Sequence, residues 1–184
     1  MSVLSSLPTG TFTIDPSHSR IGFSVRHAMV TKVRGSFNEF TGSGHVENGV
    51  ASLSAEIESK SVDTSSADRD AHLQSSDFFD AVKFPKLTFV STSAKDSGAD
   101  KVIVEGNLTI KDVTKPITIV FEYTGTAIDP YGNARFGFEG DAEINRKDFG
   151  LTWNAALEAG GLLVSENVKL EFEISAIATV LATA

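Results

Sequence analysis

The chain has 184 residues, 41% apolar and 22% charged, proportions that suit one globular domain over 1–184 and argue against disorder or a fibrous repeat. A formal net charge of −8 argues against a nucleic-acid partner and disfavours broad electrostatic docking on anionic lipid, because both need concentrated Lys and Arg. There is no Cys, which excludes disulfides and thiol catalysis, while 13 Phe beside 1 Trp and 2 Tyr point to a dry core or a greasy pocket.

In chain order, Met1 to Gly10 shows neither a basic n-region nor a full apolar h-region, so the expected compartment is the cytoplasm. Ile21, Phe23 and Val25 then share one face of a strand. Asn48-Gly49 marks a turn. After Thr64-Ser65-Ser66, which can supply an N-cap, Ala67 to Gln74 has helix formers and first-turn acids and is predicted to be a short helix. Beyond the Ser97-Gly98 turn, Val102, Val104, Gly106, Leu108 and Ile110 align on one face. Lys115-Pro116 reads as a turn before Ile117, Ile119, Phe121 and Tyr123, and Asp129 to Gly132 as another. Phe136, Phe138, Gly140, Ala142 and Ile144 face away from Arg135, Glu139, Asp141 and Glu143.

A loop from Ala155 to Val164 follows, with apolar Leu157, Leu162 and Leu163, suited to a lid or a dimer contact. Val168, Leu170, Phe172 and Ile174 form the last alternating strand, and the apolar tail Ala176 to Ala182 is far too short to span a membrane.

Strands with one polar face belong to antiparallel sheets. About eight of them with one short helix fit a sandwich or an up-and-down barrel. Gly35, Gly106 and Gly140, inside strand patterns, favour the barrel by permitting bends or leaving interior room. The expected fold is an all-β closed antiparallel barrel, of a size that holds one small ligand.

Ordered blocks carry a resemblance that periodicity does not supply. Phe12-Thr-Ile-Asp-Pro-Ser-His-Ser19, Ile21-Gly-Phe-Ser-Val-Arg-His27 and Val33-Arg-Gly-Ser-Phe37 open the series. Arg69-Asp-Ala-His-Leu73, Asp77-Phe-Phe-Asp80, Phe84-Pro-Lys-Leu-Thr-Phe89, Gly106 to Ile110, Val113-Thr-Lys-Pro116 and Ile144 to Gly150 continue it. From about Thr9 to Ile177 the chain resembles the YceI-like family. The resemblance implies a lipocalin-like barrel that binds a polyisoprenoid or similar long-chain amphiphile, without enzymatic activity and often as a homodimer. Two features depart from the pattern: many relatives carry an export signal, and Asp112 stands where relatives often have Gly.

The expected cavity walls are Phe23, Val25, Phe37, Phe89, Leu108, Phe121, Phe136, Phe138, Trp153 and Phe172, with a bound isoprenoid or long-chain lipid as ligand and no other cofactor. Any of these residues taken singly could equally fill a solid core. His18, His27, His45 and His72 lack metal-ligand spacing, so no metal site is expected, and His18 and His27 could orient a ligand head group or brace a barrel end, with bracing the favoured reading. Arg69, Asp70 and His72 read as a charge network on a surface helix, and Arg34 with the Arg146-Lys147-Asp148 turn as solvated charge or a polar rim. No catalytic residue is expected. The rival functions are an enzyme acting on an apolar substrate in the same barrel and a stress-related interaction module.

Overall fold

A computed structural model of the protein describes residues 2–158 and 160–179. The strands are β1 (Gly10–Ile14), β2 (Arg20–His27), β3 (Thr31–Phe37), β4 (Phe40–Glu47), β5 (Val50–Glu58), β6 (Val62–Asp63), β7 (Lys86–Asp96), β8 (Lys101–Ile110), β9 (Val113–Ile128), β10 (Ala134–Asn145) and β11 (Val164–Thr179). All pair antiparallel. Eight of them close a ring in the order β1-β4-β5-β7-β8-β9-β10-β11, and β11 returns to β1 through Thr11 opposite Thr179 to Ile14 opposite Ala176. The expected barrel is thus the observed fold.

The barrel is extended by a strand that changes neighbours. The C-terminal part of β11 pairs with β1, whereas its N-terminal part pairs with β2, from Val168 opposite Val25 to Glu173 opposite Arg20. With 16 residues at about 3.3 Å each, β11 runs roughly 50 Å and serves as the spine of both halves. The chain crosses between its two edge positions at Pro16–His18, a one-turn 3₁₀ helix capped by Asp15, whose carboxylate accepts from the Ser17 amide at 3.0 Å. Below the ring, β2, β3 and the two-residue β6 continue the sheet.

Helix α1 (Val3–Ser6) has no counterpart among the predicted elements. Its Val3 and Leu4 are buried against Val102 and Val104 and cork the upper barrel end. Helix α2 (Ala67–Gln74) has the predicted bounds, but no side chain of Ser66 caps it. Asp70 instead turns back to accept from the Thr64 amide (2.8 Å) and hydroxyl (2.6 Å), an inverted version of the same end-fixing contact. No helix among the described residues is long and apolar enough to cross a membrane. Of the apolar tail, Val180 to Ala182 lie outside the described residues.

One turn reading needs adjustment. Lys115-Pro116 lies inside β9, with Pro116 exposed opposite Asn107, and the hairpin turn is Lys111-Asp112. Only Lys111 there has positive φ (58°), so Asp112 occupies a conformation that does not require Gly. The strand glycines do not leave empty room. A Cβ on Gly140 would stand 2.5 Å from the Phe121 ring and one on Gly35 2.5 Å from Phe23, and Phe89 covers Gly106 in the same way. Each glycine lets a Phe lie flat across its strand, which fixes where the wall aromatics point.

Candidate ligand cavity

The interior holds two adjoining chambers. In the upper one, inside the closed ring, the centre of a water-sized sphere can move through about 190 Å³, far beyond the roughly 10–15 Å³ that one water requires. Its wall includes Leu53, Phe89, Val104, Leu108, Phe121 and Phe172, and no Asp, Glu, Lys or Arg lines it. Phe121 sets the shape of one side by packing against Phe172 at 5.8 Å and Phe138 at 6.4 Å between ring centroids. The neighbouring β8 continues this side through the alternation of Val102, Val104 and Leu108.

The lower chamber, of about 250 Å³ by the same measure, lies between β2–β3, α2 and the segment after β10. Phe37, Leu87, Ile110 and Leu170 line both chambers and stand between them. Its polar lining differs in kind: His27, Thr64, Arg69, His72 and Arg146 take part, again with no carboxylate. Trp153 is wedged edge-on against His72 at 4.6 Å and near Phe78 at 5.5 Å, while His72 Nε2 lies 2.8 Å from Asp77.

Arg146 overturns its expectation as a solvated rim charge. It is 4% exposed, and its guanidinium donates to four backbone carbonyls, those of Ser165 (2.9 Å), Leu151 (2.6 Å), Trp153 (2.8 Å) and Val164 (3.3 Å). Burial pushes its pKa down. A planar fork with five donors suits this task, because the segment between β10 and β11 offers carbonyls from several directions and little regular pairing. The neighbouring Lys147 is ordinary surface charge, ion-paired to Glu166 at 2.5 Å.

Of the expected wall residues, Phe89, Leu108, Phe121, Phe138 and Phe172 line the upper chamber, Phe23, Val25 and Trp153 the lower, and Phe37 both. Phe136 is a correction. It faces inward as its alternation requires, but it packs edge-on against Phe12 at 5.3 Å, with Val46 and Ala176, and these three neighbours line the upper chamber where Phe136 itself does not. Alternation reports the face of a strand and not the depth along the barrel axis. Sequence reasoning misses Leu4 and Leu7, whose segment has no periodicity, and Arg146, whose burial follows from loop geometry.

Among the histidines, His18 places its Nδ1 2.8 Å from Asp15, His45 lines the upper chamber, and His27 and His72 line the lower. Among the described residues no group of three or more His, Asp or Glu comes together to hold a metal ion. The α2 network is partly internal: Arg69 donates to Thr64 Oγ1 (2.7 Å) and carbonyl (2.8 Å) at the chamber wall. Arg34 is exposed.

The model of the YceI-like domain matches residues 12–176. The chain belongs to the YceI-like family. Relatives include UPF0312 proteins of Shewanella denitrificans, 39% identical over 88% of this chain and 83% of the relative, and of Staphylococcus aureus, 39% identical over 87% and 93%. Among solved structures, the Campylobacter jejuni YceI protein superposes with a TM-score of 0.72 at 28% identity, covering 84% of this chain and 90% of that one. BcnA of Burkholderia cenocepacia gives 0.77 at 22% identity over 88% and 98%. A polyisoprenoid-binding domain from Saccharophagus degradans gives 0.69 at 17% identity over 91% and 98%, a likeness of fold.

Proposed function

We propose that this YceI-like protein binds one long-chain amphiphile of the polyisoprenoid class, as a carrier or store, with the apolar tail in the upper chamber and the head group in the lower. The observation that carries the reading is an apolar upper chamber lined by no Asp, Glu, Lys or Arg beside an adjoining lower chamber whose wall includes Arg69 and Arg146. A polar metabolite would leave the apolar upper wall unused. The fold shared with the S. degradans polyisoprenoid-binding domain agrees with this ligand class.

Burial supplies the affinity. Each methylene contributes about 0.8 kcal/mol, so a chain of about twenty carbons gains roughly 16 kcal/mol gross. Subtracting several kcal/mol for lost freedom leaves room for sub-micromolar binding, which corresponds to about 8 kcal/mol. An enzyme acting on an apolar substrate would need a reactive pair converging on the cavity. The lower chamber instead offers donors already engaged: His72 by Asp77, Arg69 by Thr64 and Arg146 by carbonyls.

The test is mass spectrometry of organic extracts of the purified protein, paired with titration of an isoprenoid quinone followed by quenching of Trp153, the single tryptophan. Stoichiometric lipid in the extract and saturable quenching are expected. Lipid-free extracts together with no quenching would sink the reading.

A further inference from the structure

Charge is unevenly distributed along this acidic chain. Between Pro16 and Asn38 stand Arg20, Arg26, Lys32 and Arg34 and no Asp or Glu, although the chain has 24 acids. Folding gathers three of these cations on one surface. In the β2–β3 hairpin Arg26 lies directly opposite Lys32, and Arg34 opposite Ser24, on the face away from the cavity that Val25 and Val33 line. Arg20 is matched by Glu171 and Glu173, at 3.5 and 3.9 Å. Arg26, Lys32 and Arg34 are exposed and have no ion-pair partner among the described residues. Like charges directly opposite one another destabilise a ladder, so folding does not account for the pairing.

The tip of the same hairpin is apolar. Met29 and Val30 are 71% and 75% exposed, and Leu162, 42% exposed, stands in the adjoining loop. The loop is tied to the tip: Ala28 N donates to the Leu163 carbonyl at 2.7 Å, and Met29 Sδ lies against Gly161. Ala28 and Met29 have φ of 50° and 61°, in the left-handed region of a tight hairpin turn where Asn-Gly is the relaxed choice. Strained side chains at a turn are retained where the surroundings or a function require them. His27 and Leu163, flanking this tip, are walls of the lower chamber.

An apolar tip beside unpaired cations at a cavity mouth matches the chemistry of acyl chains beneath anionic phosphates. We propose that the β2–β3 hairpin docks the protein on anionic phospholipid bilayers, with Met29 and Val30 entering the interface and Arg26, Lys32 and Arg34 meeting phosphates. The net charge of −8 does not prevent this, because charges more than about 8–10 Å away are screened at physiological salt, so the local cations decide. Each cation near such a surface strengthens binding about fivefold, and three about a hundredfold, which describes weak, reversible and salt-sensitive docking. A symmetric dimer through the same tip would set two uncompensated cationic faces side by side, which favours lipid over a second copy.

The test is sedimentation of the full chain with vesicles of phosphatidylcholine alone or with about a third phosphatidylglycerol, at low and physiological salt. Binding to the anionic vesicles that declines with salt is expected, with little on phosphatidylcholine. Lys32→Gln combined with Arg34→Gln weakens it about thirtyfold. Met29→Asn, suited to the left-handed turn, weakens it with no loss of melting temperature. No binding to anionic vesicles at low salt would overturn the proposal, as would equal binding by these variants. A dimer seen by light scattering and dissociated by Met29→Asn would assign the tip to a second copy and overturn it too. Quinone quenching of Trp153 without vesicles reports cavity binding separately, so failure of docking and failure of the proposed ligand reading are distinguishable.

Discussion

Replacing Arg146 by Met keeps a similar unbranched stem and removes every guanidinium donor. The Val164 carbonyl retains the Asn154 amide at 2.7 Å, but those of Leu151, Trp153 and Ser165 lose their side-chain donor. A buried carbonyl left unsatisfied costs about 1–3 kcal/mol, and recovered desolvation of the cation offsets part of the sum. A net loss of about 3 kcal/mol follows, or roughly 6–12 °C in melting temperature at about 2–4 °C per kcal/mol for a domain of this size. Arg146→Lys restores one or two of the contacts and about half the loss, since an ammonium is a compact charge without the planar fork. The same samples report by fluorescence. Trp153, freed at its carbonyl, leaves its edge-on contact with His72, and its emission shifts to the red. Stability of Arg146→Met within about 0.5 kcal/mol of wild type, with unchanged emission, would refute the view that this side chain organises the lower chamber.

Leu108→Trp separates a hollow from a solid core: the delipidated protein loses little melting temperature while quinone capacity falls sharply, whereas overfilling a packed core would cost about 1–3 kcal/mol. Phe136→Ala has a different signature, a loss of about 3–5 kcal/mol in thermal or urea melts with quinone stoichiometry retained, because Phe136 backs the wall residue Phe12 and does not itself line the cavity. Acid titration tests the crossing turn. Hydrogen bonds from Ser17, Arg135 and His18 hold the Asp15 carboxyl well below the usual range, and those from Asn133 and Arg135 lower Asp129 to about 2. Both pKa values are depressed in the folded state, so their stabilisation is present above the unfolded value of about 3.9 and is lost as pH falls toward about 2. Arg135 bridges the two carboxylates at 2.6 and 2.9 Å, so wild type should exceed Arg135→Gln in urea midpoint near neutral pH, with the gap closing below about pH 4. A gap independent of pH would remove the ion pairs from the account.

The sequence by itself determined the wall chemistry and the class of fold. Period-two alternation in Val102 to Ile110 and Val168 to Ile174 assigns side chains to a face, because a strand turns its side chains over at every residue whatever its neighbours are. The helix at Ala67–Gln74 was legible for the same local reason. Tertiary structure alone decided how deep each inward residue lies, which separates Phe136, set behind Phe12, from Phe138 on the wall two residues later. It also decided that strand glycines carry flattened Phe rings, and that Val3 and Leu4 cork the barrel. Arg146 shows the limit most plainly. Its type and its neighbours Lys147 and Asp148 read as surface, yet the carbonyls that draw it inside come from Leu151, Trp153, Val164 and Ser165, whose convergence exists only once β10 and β11 have paired around the loop between them.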